Sequence, residues 1–234
     1  MLNNFLFLGF TSFLFFLNLI ALRHGRIYLY LLLGAYTILM NIFVLKQYTL
    51  FGFQTAGGNG IYGAVFLLTN ILVEHYGPKE GRRAVLIGFL SSIFFVISTQ
   101  ILLKYQANSF DFAHEHLSAL FSLMPRVLIA SILVYALAQF CDVLIFQKIR
   151  QVTQGKYLYL RNNISTMIAQ LIDTISFTAL GMVSWPFLPQ IPGYIEPSQF
   201  WEIVWIAYFI KCGVALLDTP FMYLSYYFKP RDEK

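Results

Sequence analysis

Long apolar runs constrain this chain more than any other feature of its sequence. Six of the seven runs are near or above the roughly 20 residues that an α-helix needs to cross about 30 Å of hydrocarbon. The third run is shorter, which predicts a short, broken or partly buried helix. The runs are Phe5 to Leu22, Ile27 to Leu45, Ile61 to Val73, Ala84 to Leu103, Leu120 to Phe146, Ile164 to Trp185 and Phe200 to Leu224.

Charged residues are too few for a soluble protein of this length. They make up 12% of the chain, whereas a soluble domain keeps about 25% because its surface faces water. We therefore predict an all-α, polytopic helical bundle in the membrane, with about seven transmembrane helices. No loop is long enough for a soluble domain, so residues 1–234 are predicted to form a single membrane domain.

The basic residues fall mainly at one side of the predicted helices. If all seven runs span, 12 of the 16 lysines and arginines lie on one side, and the opposite loops hold only Lys46 and Lys104. Cytoplasmic loops carry such an excess. The sequence thus predicts a multi-pass protein of the inner (plasma) membrane, with the N-terminus outside and the C-terminus in the cytoplasm. The twelve residues are Arg23, Arg26, Lys79, Arg82, Arg83, Lys148, Arg150, Lys156, Arg161, Lys229, Arg231 and Lys234.

This charge pattern also accounts for the net charge of +5 without a nucleic-acid partner, so the lipid bilayer is the expected partner. The first span opens with Met-Leu-Asn-Asn, which has no basic n-region, and no clear small-x-small cleavage site follows it. We therefore expect the first span to be a retained helix rather than a cleaved signal peptide.

Motifs of the common enzyme classes are missing from the sequence. It contains no GxxxxGK[ST], HExxH, GxSxG or GxGxxG. All four histidines lie outside the spans or at their edges, so they cannot activate a nucleophile at membrane depth. Cys141 and Cys212 lie inside apolar runs, away from any CxxC or histidine cluster. We expect no enzymatic activity, no cofactor and no metal site.

Polar and ionisable side chains inside the spans are the candidates for function. A charge at the bilayer centre costs at least about 2.5 kcal/mol on insertion scales, so such residues usually face a cavity or each other. Asp173 and Lys211 are each one residue from the middle of their spans, and we expect them to meet near the midplane. The candidate substrate-binding or coupling residues are Asn70, Glu74, Arg126, Gln139, Asp142, Gln170, Asp173, Lys211 and Asp218.

Structural roles remain open for several of these candidates. Asp173 and Lys211 could form an ion pair that only joins two helices. Asp218 precedes a Thr-Pro pair and could cap a helix break. Glu74 could lie at the water interface, and Arg126 could extend its long side chain outward to water.

A short motif, Gln-x-x-Asp-x-x-x-Phe, occurs twice, from Gln139 to Phe146 and from Gln170 to Phe177. Its spacing places the amide and the carboxylate on one helix face. Since the two spans run in opposite directions, the two motifs could form a pseudo-symmetric pair around one site.

A resemblance to a known family is carried by three stretches, namely Phe66 to Gly77 with Arg82 and Arg83, Arg126 to Phe146, and Arg161 to Phe177. Together they are similar to the queuosine precursor transporters, also called the vitamin uptake transporter (VUT) family. The similarity extends from about Ile27 to Tyr223. It implies a six-helix family core at residues 27–228 and an extra N-terminal helix at residues 1–26. The family usually has Thr-Asp where this chain has Thr69-Asn70, so a carboxylate role is not carried over to Asn70.

The resemblance implies an importer of a 7-deazaguanine base, such as preQ0, preQ1 or queuine, that is salvaged for tRNA modification. Such a base presents N1–H and a 2-amino group, which a carboxylate such as Asp173 or Asp142 can accept. An amide of Gln170, Gln139 or Asn70 can donate to its O6.

Two other functions stay open from sequence. One is a substrate-binding membrane subunit for another vitamin-like molecule, dependent on a separate ATPase module. The other is a membrane scaffold without a substrate, which the cost of intramembrane charges disfavours. The energy source, the preferred precursor and the oligomeric state, including a homo-oligomer, are also open.

Overall fold

The computed structural model describes residues 1–121, 125–184 and 195–228, and only the backbone of residues 125–128. Eight α-helices are present in these ranges. They are α1 (Leu2–His24), α2 (Arg26–Phe43), α3 (Asn59–Tyr76), α4 (Pro78–Leu102), α5 (His114–Phe121), α6 (Pro125–Val152), α7 (Leu158–Phe177) and α8 (Phe200–Leu224). A π-helical turn, Thr178–Met182, continues α7, and 3-10 turns lie at Pro197–Gln199 and Ser225–Tyr227.

Helix α3 is surrounded by the other long helices. In the order α1, α2, α4, α6, α7 and α8, each of these packs against the next, and α8 packs against α1. Helix α3 packs against α1, α2, α4, α6 and α8, and every residue from Gly60 to Val73 is buried. Of the predicted alternatives for the third span, a buried helix is confirmed and a broken one is wrong, because α3 is continuous over 18 residues and buried from Gly60 to Val73. It faces no lipid, so it does not need the strongly apolar surface of the peripheral helices.

Small residues allow the neighbouring helices to come close to α3. A methyl group added at Gly63 would lie 2.1 Å from Cγ1 of Val214 on α8, and one added at Gly60 would lie 2.5 Å from Oγ1 of Thr11 on α1. Such close approaches are how membrane helices gain packing contacts without a hydrophobic driving force between them. They hold the first turns of α3 against α1 and α8.

The six peripheral helices are the ones long and apolar enough to cross a membrane: α1, α2, α4, α6, α7 with its π-helical turn, and α8. Their outward faces carry large exposed apolar side chains, for example Phe13, Phe94, Leu133 and Phe209. In water such a surface would aggregate, whereas in lipid it is fully compatible with its surroundings. The chain is therefore a polytopic helical membrane protein, which confirms the predicted fold class.

Several of the basic residues lie at helix ends, among them Arg23, Arg26, Arg83 and Arg150. Single glycines in left-handed conformation, Gly25 (φ 111°) and Gly77 (φ 92°), separate α1 from α2 and α3 from α4. Pro78 then occupies the first turn of α4, where its missing N–H leaves no bond unmade. The end of the bundle that carries Arg26, Arg83 and Arg150 is called the basic end below.

A β-hairpin lies at the opposite end, between α2 and α3. Strands β1 (Gln47–Leu50) and β2 (Phe53–Ala56) pair antiparallel. Their two-residue turn has positive φ at both Phe51 (51°) and Gly52 (90°), a geometry that matches the twist of hairpin strands. These strands were not predicted from the sequence, because two four-residue strands carry little periodic signal.

Some predictions concern residues outside the described ranges. Trp185, the predicted end of the sixth span, and the basic residues Lys229, Arg231 and Lys234 are among them, as is the side chain of Arg126. The division into an extra helix at 1–26 and a family core at 27–228 stays a prediction.

Candidate functional site

A cavity of about 700 Å³ lies between the β-hairpin and the middle of the bundle. Its walls are formed by the hairpin, the start of α3, and parts of α6, α7 with its π-helical turn, and α8. Pockets for small molecules usually have volumes of roughly 300–1,000 Å³, with mostly apolar walls and a few polar groups that orient the ligand. In this cavity the polar groups include Asp173, Thr174, Lys211 and Tyr62, which we call the upper site.

The upper site is built around the carboxylate of Asp173. Lys211 Nζ donates a hydrogen bond to Asp173 Oδ2 and another to Thr174 Oγ1 at 3.1 Å. The Tyr62 hydroxyl donates to Asp173 Oδ1 at 2.5 Å, and the Lys211 ammonium lies 5.0 Å from the Tyr62 ring centroid. Asp173 and Lys211 therefore meet, as their depths in the sequence predicted, and the pair lines a cavity.

A second group of polar side chains lies nearer the basic end, and we call it the lower cluster. Seven residues separate Lys211 from Asp218 on α8 and Asp173 from Thr166 on α7, which at 1.5 Å per residue is about 10 Å. The cluster comprises Asn70 on α3, Asp142 on α6, Asn162 and Thr166 on α7, and Asp218 on α8, all of them buried.

Hydrogen bonds connect the lower cluster across four helices. Asn70 Nδ2 donates to Asn162 Oδ1 at 3.2 Å and to Thr166 Oγ1 at 3.1 Å. Thr166 Oγ1 donates to Asp142 Oδ1 at 3.3 Å, and Asn162 Nδ2 donates to Asp218 Oδ1 at 2.6 Å. In the described part of the chain, Asp142 Oδ2, Asp218 Oδ2 and Asn70 Oδ1 have no hydrogen-bond partner.

The two predicted glutamines lie between these groups. Gln139 is four residues from Tyr135, which lines the cavity, and three from Asp142; Gln170 lies between Thr166 and Asp173. Both glutamines are buried. The amide atoms of Gln139 and Oε1 of Gln170 lack hydrogen-bond partners among the described residues. The two Gln-x-x-Asp motifs do not share one site, because Asp173 lines the cavity whereas Asp142 belongs to the lower cluster.

Glu74 is part of a third group, the basic-end network, with Arg161, Arg150 and Tyr226. Arg161 donates through Nη2 to Glu74 Oε1 at 2.6 Å and through Nε to Oε2 at 3.1 Å. Arg150 Nε lies 3.9 Å from Glu74 Oε2, and the Tyr226 hydroxyl donates to Oε1. The side chains of Glu74 and Arg161 are only 5% and 2% exposed. Glu74 is therefore a paired carboxylate at the basic end rather than a free one in water.

Sequence reasoning missed Tyr62, Arg161, Asn162 and Thr166. Tyrosine, asparagine and threonine carry no charge at neutral pH, so they do not stand out in an apolar span. Arg161 was counted as a loop residue because it precedes the apolar run of the sixth span. In the structure, α7 begins at Leu158, three residues before Arg161. A usable signal was present, since positions 162, 166 and 173 fall on one face of a helix.

Residues 56–225 match a family model described as "Putative vitamin uptake transporter". The chain belongs to this family. The match confirms the resemblance found in the sequence. It includes α3, α4, α6, α7 and α8, and so all the residues of the upper site and the lower cluster.

Curated members similar to this chain are named as transporters. A "Probable queuosine precursor transporter" from Bacillus subtilis (strain 168) is 32% identical over 100% of this chain and 99% of its own length. The "Queuosine precursor transporter" of Escherichia coli (strain K12) is 24% identical over 76% of this chain and 75% of its own. A "Probable queuosine precursor transporter" of Haemophilus influenzae is 23% identical over 56% and 53%. No solved structure matches the chain.

Proposed function

We propose that this vitamin uptake transporter family member imports a queuosine precursor, a 7-deazaguanine base such as preQ0, preQ1 or queuine, through the inner (plasma) membrane. The observation that carries the proposal is the carboxylate of Asp173 on the wall of a cavity of about 700 Å³. The names of the relatives supply the substrate class. The base is transported without chemical change.

Asp173 is the carboxylate best placed to recognise the base. Its two oxygens can accept N1–H and the 2-amino group together, a planar bidentate pairing. Glu202 also lines the cavity but is exposed in the first turn of α8, and Asp142 and Asp218 do not line it. The Tyr62 ring, beside the carboxylate, offers an aromatic face for the flat base.

Binding would exchange hydrogen bonds rather than only add them. Tyr62 and Lys211 each donate a hydrogen bond to one oxygen of Asp173, and the base takes their place. Lys211 keeps Thr174 as an acceptor, so its ammonium is not left without a partner. Because bonds are lost as well as gained, the net affinity is moderate, which suits a transporter that must also release its substrate.

The orientation of the protein follows from its charges. We place the basic end in the cytoplasm, because cytoplasmic ends carry the excess of lysine and arginine. The N-terminus and the β-hairpin then lie outside, and the cavity is reached from the outside. In this arrangement the lower cluster and the basic-end network separate the upper site from the cytoplasm.

The test uses a bacterial host that lacks its own importer, precursor synthesis and any vitamin-importing ATPase module. The chain is expressed with the matching salvage enzyme, cells receive low concentrations of preQ0, preQ1 or queuine separately, and queuosine is measured in tRNA. We expect one or more bases to restore modification, and Asp173→Asn to abolish it.

The matched control is Asp111→Asn, the same chemical change at an exposed carboxylate outside the spans. It should support the same modification as the wild type. If Asp173→Asn supports uptake at the wild-type level, with an equal amount of protein in the membrane, the role of Asp173 is refuted. Failure of the wild type with every base would refute the proposed substrate class or indicate dependence on an ATPase partner.

A further inference from the structure

We propose that the lower cluster binds a small monovalent cation, H⁺ or Na⁺, whose gradient drives transport. The site uses side-chain oxygens of Asn70, Asp142 and Asp218, and it is distinct from the upper site. The coupling role rests on the proposed function, whereas cation binding itself can be tested without any substrate.

Two carboxylates in the lower cluster have no basic partner. Asp142 and Asp218 are both fully buried, and none of the salt bridges in the described ranges includes either of them. Lys211 is paired with Asp173 and Arg161 with Glu74. A buried carboxylate without a compensating cation is among the most costly arrangements in a protein. A cation from solution would remove that cost.

The neighbouring titratable groups do not alter this charge balance. Those on the helices packed against α6 and α8 are either paired, uncharged at neutral pH or at the ends of the bundle. They are Tyr62, Glu74, His75 and Tyr76 on α3, Lys79, Glu80, Arg82 and Arg83 on α4, Tyr159, Arg161 and Asp173 on α7 with Tyr157 just before it, Arg23 and His24 on α1, and Tyr226 and Tyr227 in the 3-10 turn after α8. Tyr135, Cys141, Lys148 and Arg150 lie on α6 itself, and Glu202, Tyr208, Lys211, Cys212 and Tyr223 on α8.

The unpartnered atoms in the cluster are all acceptors. The amide nitrogen of Asn70 donates to both Asn162 and Thr166, which fixes the orientation of that amide and leaves its Oδ1 without a donor. Thr166 and Asn162 in turn donate to one oxygen of Asp142 and one of Asp218. Three oxygens on three helices remain, Asn70 Oδ1, Asp142 Oδ2 and Asp218 Oδ2.

Such an excess of oxygen acceptors selects the class of ligand. Hard cations are bound by carboxylate and amide oxygens, and a proton also binds to a carboxylate oxygen. An anion or a hydrogen-bond acceptor would face only the lone pairs of these oxygens, so it would not be bound. The two negative charges favour a cation, and full burial between four helices favours a small one.

Polar side chains also connect the cluster with the cavity. Gln139 and Gln170 lie between the lower cluster and the upper site, with amide atoms that lack partners among the described residues. The two sites share helices, because α7 carries both Asp173 and Thr166, and α8 carries both Lys211 and Asp218. A movement of α7 or α8 that opens the upper site therefore changes the lower cluster as well.

The first experiment measures cation binding by the purified protein in detergent, without substrate. Thermal unfolding is followed at increasing NaCl against choline chloride at constant ionic strength and pH, and separately at pH 5 to 8 in choline chloride. A ligand that binds the folded state raises the unfolding midpoint by mass action. We expect either Na⁺ or a fall in pH to raise the midpoint of the wild type and of Asp111→Asn.

The variants Asp142→Asn and Asp218→Asn should lose most of this cation-dependent shift. Asparagine keeps the size of the aspartate side chain and removes its charge, so we expect each variant to fold. If a variant does not fold, the response of the wild-type midpoint to Na⁺ and to pH still tests cation binding. A wild type whose midpoint responds to neither cation would overturn the proposal. So would variants whose shift equals that of the wild type.

The second experiment tests coupling in proteoliposomes with labelled preQ1. An inward Na⁺ gradient, an inward H⁺ gradient or no gradient is imposed, and we expect one gradient to drive accumulation severalfold above the external concentration. Asp142→Asn and Asp218→Asn should not accumulate preQ1 in this way. Equilibration of preQ1 with no response to either gradient would overturn the coupling and leave the proposed function intact. No preQ1 movement, with cation stabilisation intact, would count against preQ1 as substrate and leave the cation site intact.

Discussion

Removal of Arg161 is the perturbation with the largest expected effect on folding. Its guanidinium makes two charge-assisted hydrogen bonds to Glu74, each of which contributes about 1.5–3 kcal/mol. Arg161→Met would leave a buried carboxylate with the Tyr226 hydroxyl and with Arg150 at 3.9 Å. Breaking a buried ion pair costs about 3–5 kcal/mol, in line with the sum of the two bonds.

The other contacts of Arg161 contribute less to this cost. Nη2 also donates to the Tyr226 hydroxyl at 3.4 Å, and the guanidinium carbon lies 5.7 Å from the centroid of the Phe146 ring. Arg161 Nη1 donates to the carbonyl oxygens of Gly155 and Lys156 at 2.8 and 3.1 Å, but both residues are exposed, so water can replace the donor. We therefore expect Arg161→Met to lower the free energy of unfolding by about 3–5 kcal/mol, nearly all of it through Glu74.

The assay is unfolding of the purified protein by SDS in mixed micelles, followed by circular dichroism. Arg83→Met is the matched control, because Arg83 also contacts a glutamate, Glu80, but is 60% exposed. An exposed pair contributes only about 0–1 kcal/mol, so this control should unfold close to the wild type.

A double-mutant cycle isolates the pair itself. Glu74→Gln alone leaves a buried guanidinium and should cost about 3–5 kcal/mol, whereas Glu74→Gln with Arg161→Met should cost clearly less than the sum of the two single changes. Additive costs, or an Arg161→Met protein as stable as Arg83→Met, would refute the reasoning.

Two further predictions concern packing and the upper site. Gly63→Ala should destabilise the protein by about 1–3 kcal/mol, because the new methyl group would lie 2.1 Å from Val214 Cγ1. In the SDS assay, adding Val214→Ala to the same chain should restore most of the lost stability. If it does not, the clash with Val214 is not the cause of the loss. Lys211→Met should abolish precursor uptake, measured as queuosine in tRNA, because it leaves Asp173 buried without its cationic partner. The control Lys104→Met, at an exposed position, should keep uptake. Uptake by Lys211→Met would contradict the role of the pair.

The helices that face lipid could be predicted from the sequence because lipid requires apolar side chains over a fixed length. The last span was placed at Phe200 to Leu224, the bounds of α8 in the structure. Helix α3 gave a weaker signal because its neighbours cover it, so nothing requires its surface to be as apolar as one that faces lipid. Its central position depends on how six other helices pack, which no local pattern records.

The candidate site was predictable where a charge lies deep in an apolar span. Asp173 and Lys211 were found in this way, and their depths along the helices sufficed to bring them together. Asn162 and Thr166 were missed, because amides and hydroxyls are common in membrane helices and cost little there. Glu74 was recognised but not its partner, since the pairing with Arg161 depends on where α7 begins.

The four buried carboxylates differ in how their charge is balanced, and that difference bears on transport. Glu74 is paired with Arg161 in the basic-end network, and Asp173 is paired with Lys211, which the substrate displaces in the proposed function. Asp142 and Asp218 have no basic partner among the described residues, so a cation from solution would compensate their charge. When that cation leaves, two unpaired charges remain between helices α3, α6, α7 and α8, and the packing of these helices becomes less favourable. Cation release on one side of the membrane would then favour rearrangement of α7 and α8, the two helices that carry Asp173 and Lys211.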